Sequence, residues 1–387
     1  MRHFVWILFV ALTLGACTSG SQDGVEDEAS FVTMLGNDTL AVEQFVKTDS
    51  SITAQVVLRV PETSFSAYKL TLDETGGIEE MVKTVYPPVE GFTGSGAVTR
   101  TVNRVGDSLY VEVMEENNPG TYTAPYEPGV LPFIDMVHWP FEVAFNNAVE
   151  TGQDTVIQPL LTGNRLSDFT IADLEGDSMT IRHPFRGVMG VNVDDSGNLE
   201  YLDAGLTTRK LKVYRHESLP IDDIGMRFAE QDRAGNSFGS LSGFVEVEYD
   251  IGDTNFQLEY GSPQKRDREL FGGIVPWGEV WRTGANRATH FSTTSDLQFG
   301  DLEVPAGDYT LFTIPEEDGG TLIINEETGQ NGTAYDESMD LGRVPMEIST
   351  KEESTEAFTI TVVETDNGGE LQLIWGETVF SAPFTIE

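Results

Sequence analysis

The chain has 387 residues, 39% of them hydrophobic and 10% aromatic, enough to fill two cores of ordinary size and too many for an acidic disordered segment. Its 64 acidic residues outweigh 23 basic ones, only 7 of them lysine, for a net charge of −41. That balance excludes nucleic acid as a partner, because affinity there comes from neutralising phosphates. No D-x-[DN]-x-[DN]-G loop occurs, so the acidity reads as a surface suited to saline surroundings rather than as calcium binding.

At the N-terminus, Arg2 precedes an apolar run from Phe4 to Leu14, then Leu14-Gly15-Ala16-Cys17. The run is too short to span a bilayer and has the length of a signal-peptide core. The single cysteine of the chain follows a Leu-Gly-Ala triplet, which resembles the lipobox of bacterial lipoproteins. That resemblance implies a signal peptide over 1–16, lipidation at Cys17 and a bilayer partner reached through it. Thr18 rather than Asp follows, which resembles the sorting signal for the outer membrane, and the periplasmic face is the expected side. The folded part then has no thiol, so neither a disulfide nor a cysteine nucleophile is expected. The polar stretch 17–30 reads as a flexible tether.

The body, from 31 onward, reads as all-β. "VEVEYDI" (245–251), "FTITV" (358–362) and "LQLIW" (371–375) alternate apolar and polar positions, as antiparallel strands with one wet face do. Turn signals such as "DETGG", "DDSGN" and "EEDGG" recur between such runs. "LDETGGIE" (72–79) and "VDDSGNLE" (193–200) share one pattern, each after an Arg-x-Pro at Arg59 and Arg182. Two readings stay open: two similar hairpins, or a duplication that places both in one sheet. Between them, the Pro- and Gly-rich stretch 117–133 reads as a long irregular loop, and "FEVAFNNAVE" (141–150) is the best helix candidate. The aperiodic, glycine-rich stretch 227–243 reads as a linker. It divides an N-terminal β domain (31–226) from a C-terminal one (244–387), each an antiparallel sheet, sandwich or partial barrel, the second compact and sandwich-like.

In the C-terminal part, "SPQKRDRELFGGIVPWGEVWRTGANRATHF", "VPAGDYTLFTIP", "AYD" (334–336) and "LQLIWGETVFSAPF" occur in that order. The combination resembles the domain-of-unknown-function family numbered 2911 over about 250–387. It implies a secreted or envelope-located bacterial protein with a compact β domain, and it implies no reaction.

This stretch gathers positive charge that the rest of the chain avoids. Arg268, Trp277, Trp281, Arg282, Asn286 and His290 are the candidate ligand-binding residues. Arg282 is a bidentate donor for a carboxylate or phosphate, Asn286 a two-way hydrogen-bonder, and a tryptophan a stacking platform. A small anionic or carbohydrate ligand is the partner this chemistry suits. The competing and favoured expectation is a clasp, with Arg282 buried and paired to an acid such as Glu279 or Asp336, Trp281 in the core and Asn286 tying down the loop.

Catalytic patterns mostly fail. "DSG" (195–197) sits in a turn, "GSLSG" (239–243) has leucine where a G-x-S-x-G nucleophile belongs, and neither Ser-x-x-Lys has its companion motifs. The five histidines lack H-x-H or H-E-x-x-H spacing, so no metal site and no cofactor are expected. The leading expectation is an outer-membrane lipoprotein that binds or scaffolds without catalysis. The alternative is a hydrolase using acidic residues with Arg282.

Overall fold

The computed structural model describes residues 25–115, 118–174, 177–207, 209–330, 332 and 334–387; Cys17 and the expected signal peptide lie outside them. Most of these residues are in strands, and the strands form two sheets of fifteen and nine. The all-β expectation holds, and the C-terminal sheet is a separate domain.

The fifteen-stranded sheet is two meanders joined at their ends. Its order runs from Gly120–Pro125 back to Val25–Leu35, then from Leu211–His216 back to Leu131–Pro132. Val25–Leu35 and Leu211–His216 pair antiparallel with Phe31 opposite Arg215. All pairings are antiparallel except that of Leu131–Pro132 with Thr155–Thr162. The two look-alike segments are hairpin turns of this one sheet with the same wiring. Asp73 Oδ1 accepts from the amides of Thr75 and Gly77 at 2.8 and 3.0 Å. Asp194 Oδ1 accepts from those of Ser196 and Asn198, both at 2.9 Å. An Asx turn of this kind explains the shared Asp and Gly.

One helix, α1 (Trp139–Thr151), packs into the core of this sheet and is buried on nearly every face. It contains the stretch expected to be helical. Its N-terminus lacks a local cap, and the buried Glu43 of strand Asp38–Thr48 replaces it, accepting from the amides of His138 and Trp139 at 2.8 and 3.1 Å. A carboxylate there satisfies the orphan donors and suits the helix dipole. The buried Glu142 accepts from the amide of Leu199 at 2.9 Å and pairs with Arg215, which ties α1 to the second meander.

Three sequence expectations need correction. The strand Val25–Leu35 begins inside the stretch expected as tether, and Ala29 and Phe31 are fully buried. Its acidic first residues hid it. The stretch 117–133 contains the edge strand Gly120–Pro125 rather than an irregular loop. A second helix, α2 (Ile221–Arg233), occupies the expected domain end and half of the expected linker. Its inner stripe is Ile221, Gly225 and Ala229, flanked by the partly buried Ile224, Met226 and Phe228. A Cβ on Gly225 would lie 2.5 Å from the Phe65 ring, so only glycine lets this helix sit against the sheet.

The nine-stranded sheet folds back on itself. Its long hairpin, Asp340–Thr365 with Gly368–Ile386, bends at register shifts near 350–359 and returns over strand Thr254–Pro263. Tyr260 OH accepts from Ile360 N at 3.1 Å and Ser262 Oγ donates to Phe358 O at 2.7 Å. One core lies between the layers, built on Phe256, Phe358, Trp375 and Phe380. The domain is sandwich-like, as expected.

The domains join on one side. Arg266 reaches across from the C-terminal domain: Nη1 is 3.2 Å from Asp38, Nη2 donates to Phe238 O at 2.7 Å, and the guanidinium lies 3.7 Å from the Phe238 ring centroid. Gly239 N donates to Pro61 O at 2.8 Å beside it. Gly36, at φ +61°, has no room for a side chain, since a Cβ would lie 2.0 Å from Arg266 O.

Candidate functional site

Beside that junction, the domains face each other across a cleft of about 1400 Å³. The C-terminal wall is the loop 281–287. It is pinned where Trp281 exchanges both backbone hydrogen bonds with Thr313, at 2.7 and 2.8 Å. The Trp281 ring stacks on Trp375 at 6.2 Å and 8°, and its Nε1 donates to Gly284 O. The Thr283 and Thr313 hydroxyls meet at 2.6 Å in the buried interior. Thr283, Gly284 and Asn286 all take positive φ, and Ala285 N donates to Gly261 O at 3.0 Å. The loop is therefore tightly wound and rigidly held, with its arginines on the cleft side.

Arg282 is half-buried, and its Nη1 donates to Asn286 O at 3.4 Å. Burial alone holds its pKa below the ordinary arginine value. Among the described residues, no carboxylate comes within 4.0 Å of it. The ion pair expected of a clasp is therefore missing among the described residues, while Trp281 packs in the core and Asn286 bonds within the loop as that expectation has them. Glu279 is exposed, and Asp336 caps a short turn at Ser338 instead. The arginine that does act as a clasp is Arg266.

The structure brings together most of the residues singled out in the sequence. Arg268, Trp281, Arg282, Asn286 and His290 all line the cleft. Trp277 does not: it stacks on Phe271 at 5.7 Å, under the glycine turn at Gly272. Trp281 belongs mainly to the core, so neither tryptophan is a free stacking platform. Arg268 donates to the carbonyls of Lys265 and Gln264, at 3.1 and 2.5 Å. Burial and the neighbouring Arg266 bring its pKa down to about 10.

Sequence reasoning missed the opposite wall. Arg186, Arg209 and Lys210 of the N-terminal domain face the cleft, as does Arg287 of the C-terminal one. Asp135, just behind, binds both Arg186, at 2.5 Å, and Arg209. Burial pushes the Asp135 carboxyl up, but the two guanidiniums outweigh it and hold its pKa below the usual range. Lys210 has its pKa lowered by burial and by Arg268 across the gap. An adjacent Arg-Lys pair in so acidic a chain was the one available hint, and only the fold shows where it points. Among the described residues no Asp or Glu lines the cleft. The arrangement can desolvate and hold an anion.

No curated protein matches the chain. Residues 242–384, the C-terminal third and the domain that supplies Arg268, Arg282 and Arg287, match the family described as Protein of unknown function (DUF2911).

Proposed function

We propose that the protein is a lipid-anchored envelope protein that binds an anionic ligand in the cleft between its domains, without catalysing its conversion. One observation carries the binding reading: in a chain of net charge −41, six Arg and Lys side chains converge on one cleft that, among the described residues, no carboxylate lines. Clefts lined by one sign of charge concentrate ligands of the other. A domain boundary is also a common place for a ligand site. The anchoring reading rests on Cys17 after Leu14-Gly15-Ala16, with the periplasmic face of the outer membrane as the proposed location.

The test uses the full chain carrying Cys17→Ser, which is expected in the soluble fraction. Thermal unfolding is followed with citrate, glucuronate, sulfate and phosphate, and with neutral glucose and maltose. The anions should raise the Tm and the neutral sugars should not, and the gain should vanish in Arg282→Ala. Equal effects of neutral sugars, or gains that survive Arg282→Ala, would overturn the reading.

A further inference from the structure

We infer that the ligand of this cleft is a short acidic oligosaccharide that touches both walls at once and couples the two domains. This rests on the anion-binding reading and adds the ligand's class and reach.

The cations are divided between the domains. Arg186, Arg209 and Lys210 stand on one wall, and Arg268, Arg282 and Arg287 on the other. Asp135 compensates only the Arg186–Arg209 pair. Lys210 and Arg268 face each other as like charges, and among the described residues neither has a carboxylate within 4.0 Å. A cleft of about 1400 Å³ also exceeds the roughly 300–1,000 Å³ that a drug-sized molecule fills. A chain with charges on successive units can meet several of these cations on both walls at once and fill such a volume, as a single small anion does not.

The exterior limits the length of that chain. With 64 acidic residues against 23 basic ones, a polyanion running beyond the cleft meets like charge. The ligand is therefore a few units long. Its chemistry follows from what lies between the cations. Phe185 is 68% exposed and Leu206 84% exposed, both on the cleft, and they offer apolar surface to ring faces. Asn286, Ser240 and Ser242 offer neutral donors and acceptors for hydroxyls. Apolar faces, many hydroxyls and spaced carboxylates or sulfates together describe an acidic sugar chain. An acidic peptide offers the charges without the hydroxyls, and inorganic phosphate offers neither rings nor reach.

Calorimetric titration of the Cys17→Ser chain tests this with trigalacturonate, galacturonate, maltotriose, triglutamate and phosphate. One variant is made on each wall: Lys210→Asn, since asparagine tolerates the positive φ found there, and Arg287→Gln. Trigalacturonate should bind at least about tenfold more tightly than galacturonate and than triglutamate, and maltotriose should not bind. Each single-wall variant should weaken trigalacturonate about tenfold. In thermal scans the trimer should raise the Tm more than the monomer does at equal carboxylate concentration. Equal affinity of trimer and monomer, or sensitivity to one wall only, overturns the bridging inference but leaves the cleft an anion site. Triglutamate binding as tightly as the trimer overturns the sugar assignment. Failure of every anion removes both this inference and the reading beneath it.

Discussion

The guanidinium of Arg266 lies over the Phe238 ring, donates to the Phe238 carbonyl and faces Asp38 of the other domain, with its side chain only 8% exposed. Arg282, in the same positively charged stretch, has one long bond to a carbonyl of its own loop and an open side toward the cleft. The two residues should therefore respond oppositely to truncation. Asp38 is half exposed, so its ion pair with Arg266 contributes little by itself. The buried hydrogen bond and the ring contact carry more. Arg266→Ala should cost about 1–3 kcal/mol, and Arg282→Ala should stay within about 0.5 kcal/mol, as surface changes do. Urea unfolding of both variants checks this. A large loss for Arg282→Ala would restore the clasp, and a negligible loss for Arg266→Ala would mean the junction is held elsewhere.

At the scale of elements, legibility followed how plainly each one carries its period and its boundary signals. Strand Ser242–Ile251 alternates because one face is wet, and the pattern is plain in "VEVEYDI". The helix α1 was legible because an apolar run with a Pro near its start and Gly152 at its end carries the ordinary boundary signals. The helix α2 was missed although its apolar residues gather on one face, because Gly225, seated against Phe65, and the polar, glycine-rich stretch that follows read as breakers of a linker. The same contact yields a prediction. Gly225→Ala should gain about 1 kcal/mol of helix propensity. Its Cβ would lie 2.5 Å from the ring of Phe65, which is fully buried and has nowhere to move. Overpacking of this kind costs about 1–3 kcal/mol. The variant should be less stable by up to about 2 kcal/mol despite its better helix former, measured by chemical denaturation. A stabilised variant would mean that α2 docks loosely.

For the whole molecule, the sequence made half of the site readable. The C-terminal wall sits in one contiguous stretch, so Arg268, Arg282, Asn286 and His290 could be picked out together. Arg186 and Lys210 lie far from it along the chain, and only the sheet topology returns them to the same space. The two domains have separate cores and meet through few contacts, so a chain of residues 242–387 should fold alone. It should show a single cooperative melt, and a fragment without one, beside a full chain that melts cooperatively, would show that the sandwich leans on its neighbour. The contrast between the acidic exterior and the basic cleft also bears on how a ligand arrives. At low ionic strength the net charge of −41 acts over tens of ångströms and turns anions away before they feel the arginines. Near 0.15 M salt the screening length falls to about 8 Å, which hides the distant carboxylates and leaves the cations at contact range effective. Association should then quicken as salt is added from low concentration, the reverse of ordinary electrostatic steering. A saline medium would act as the condition under which this cleft opens to its ligand.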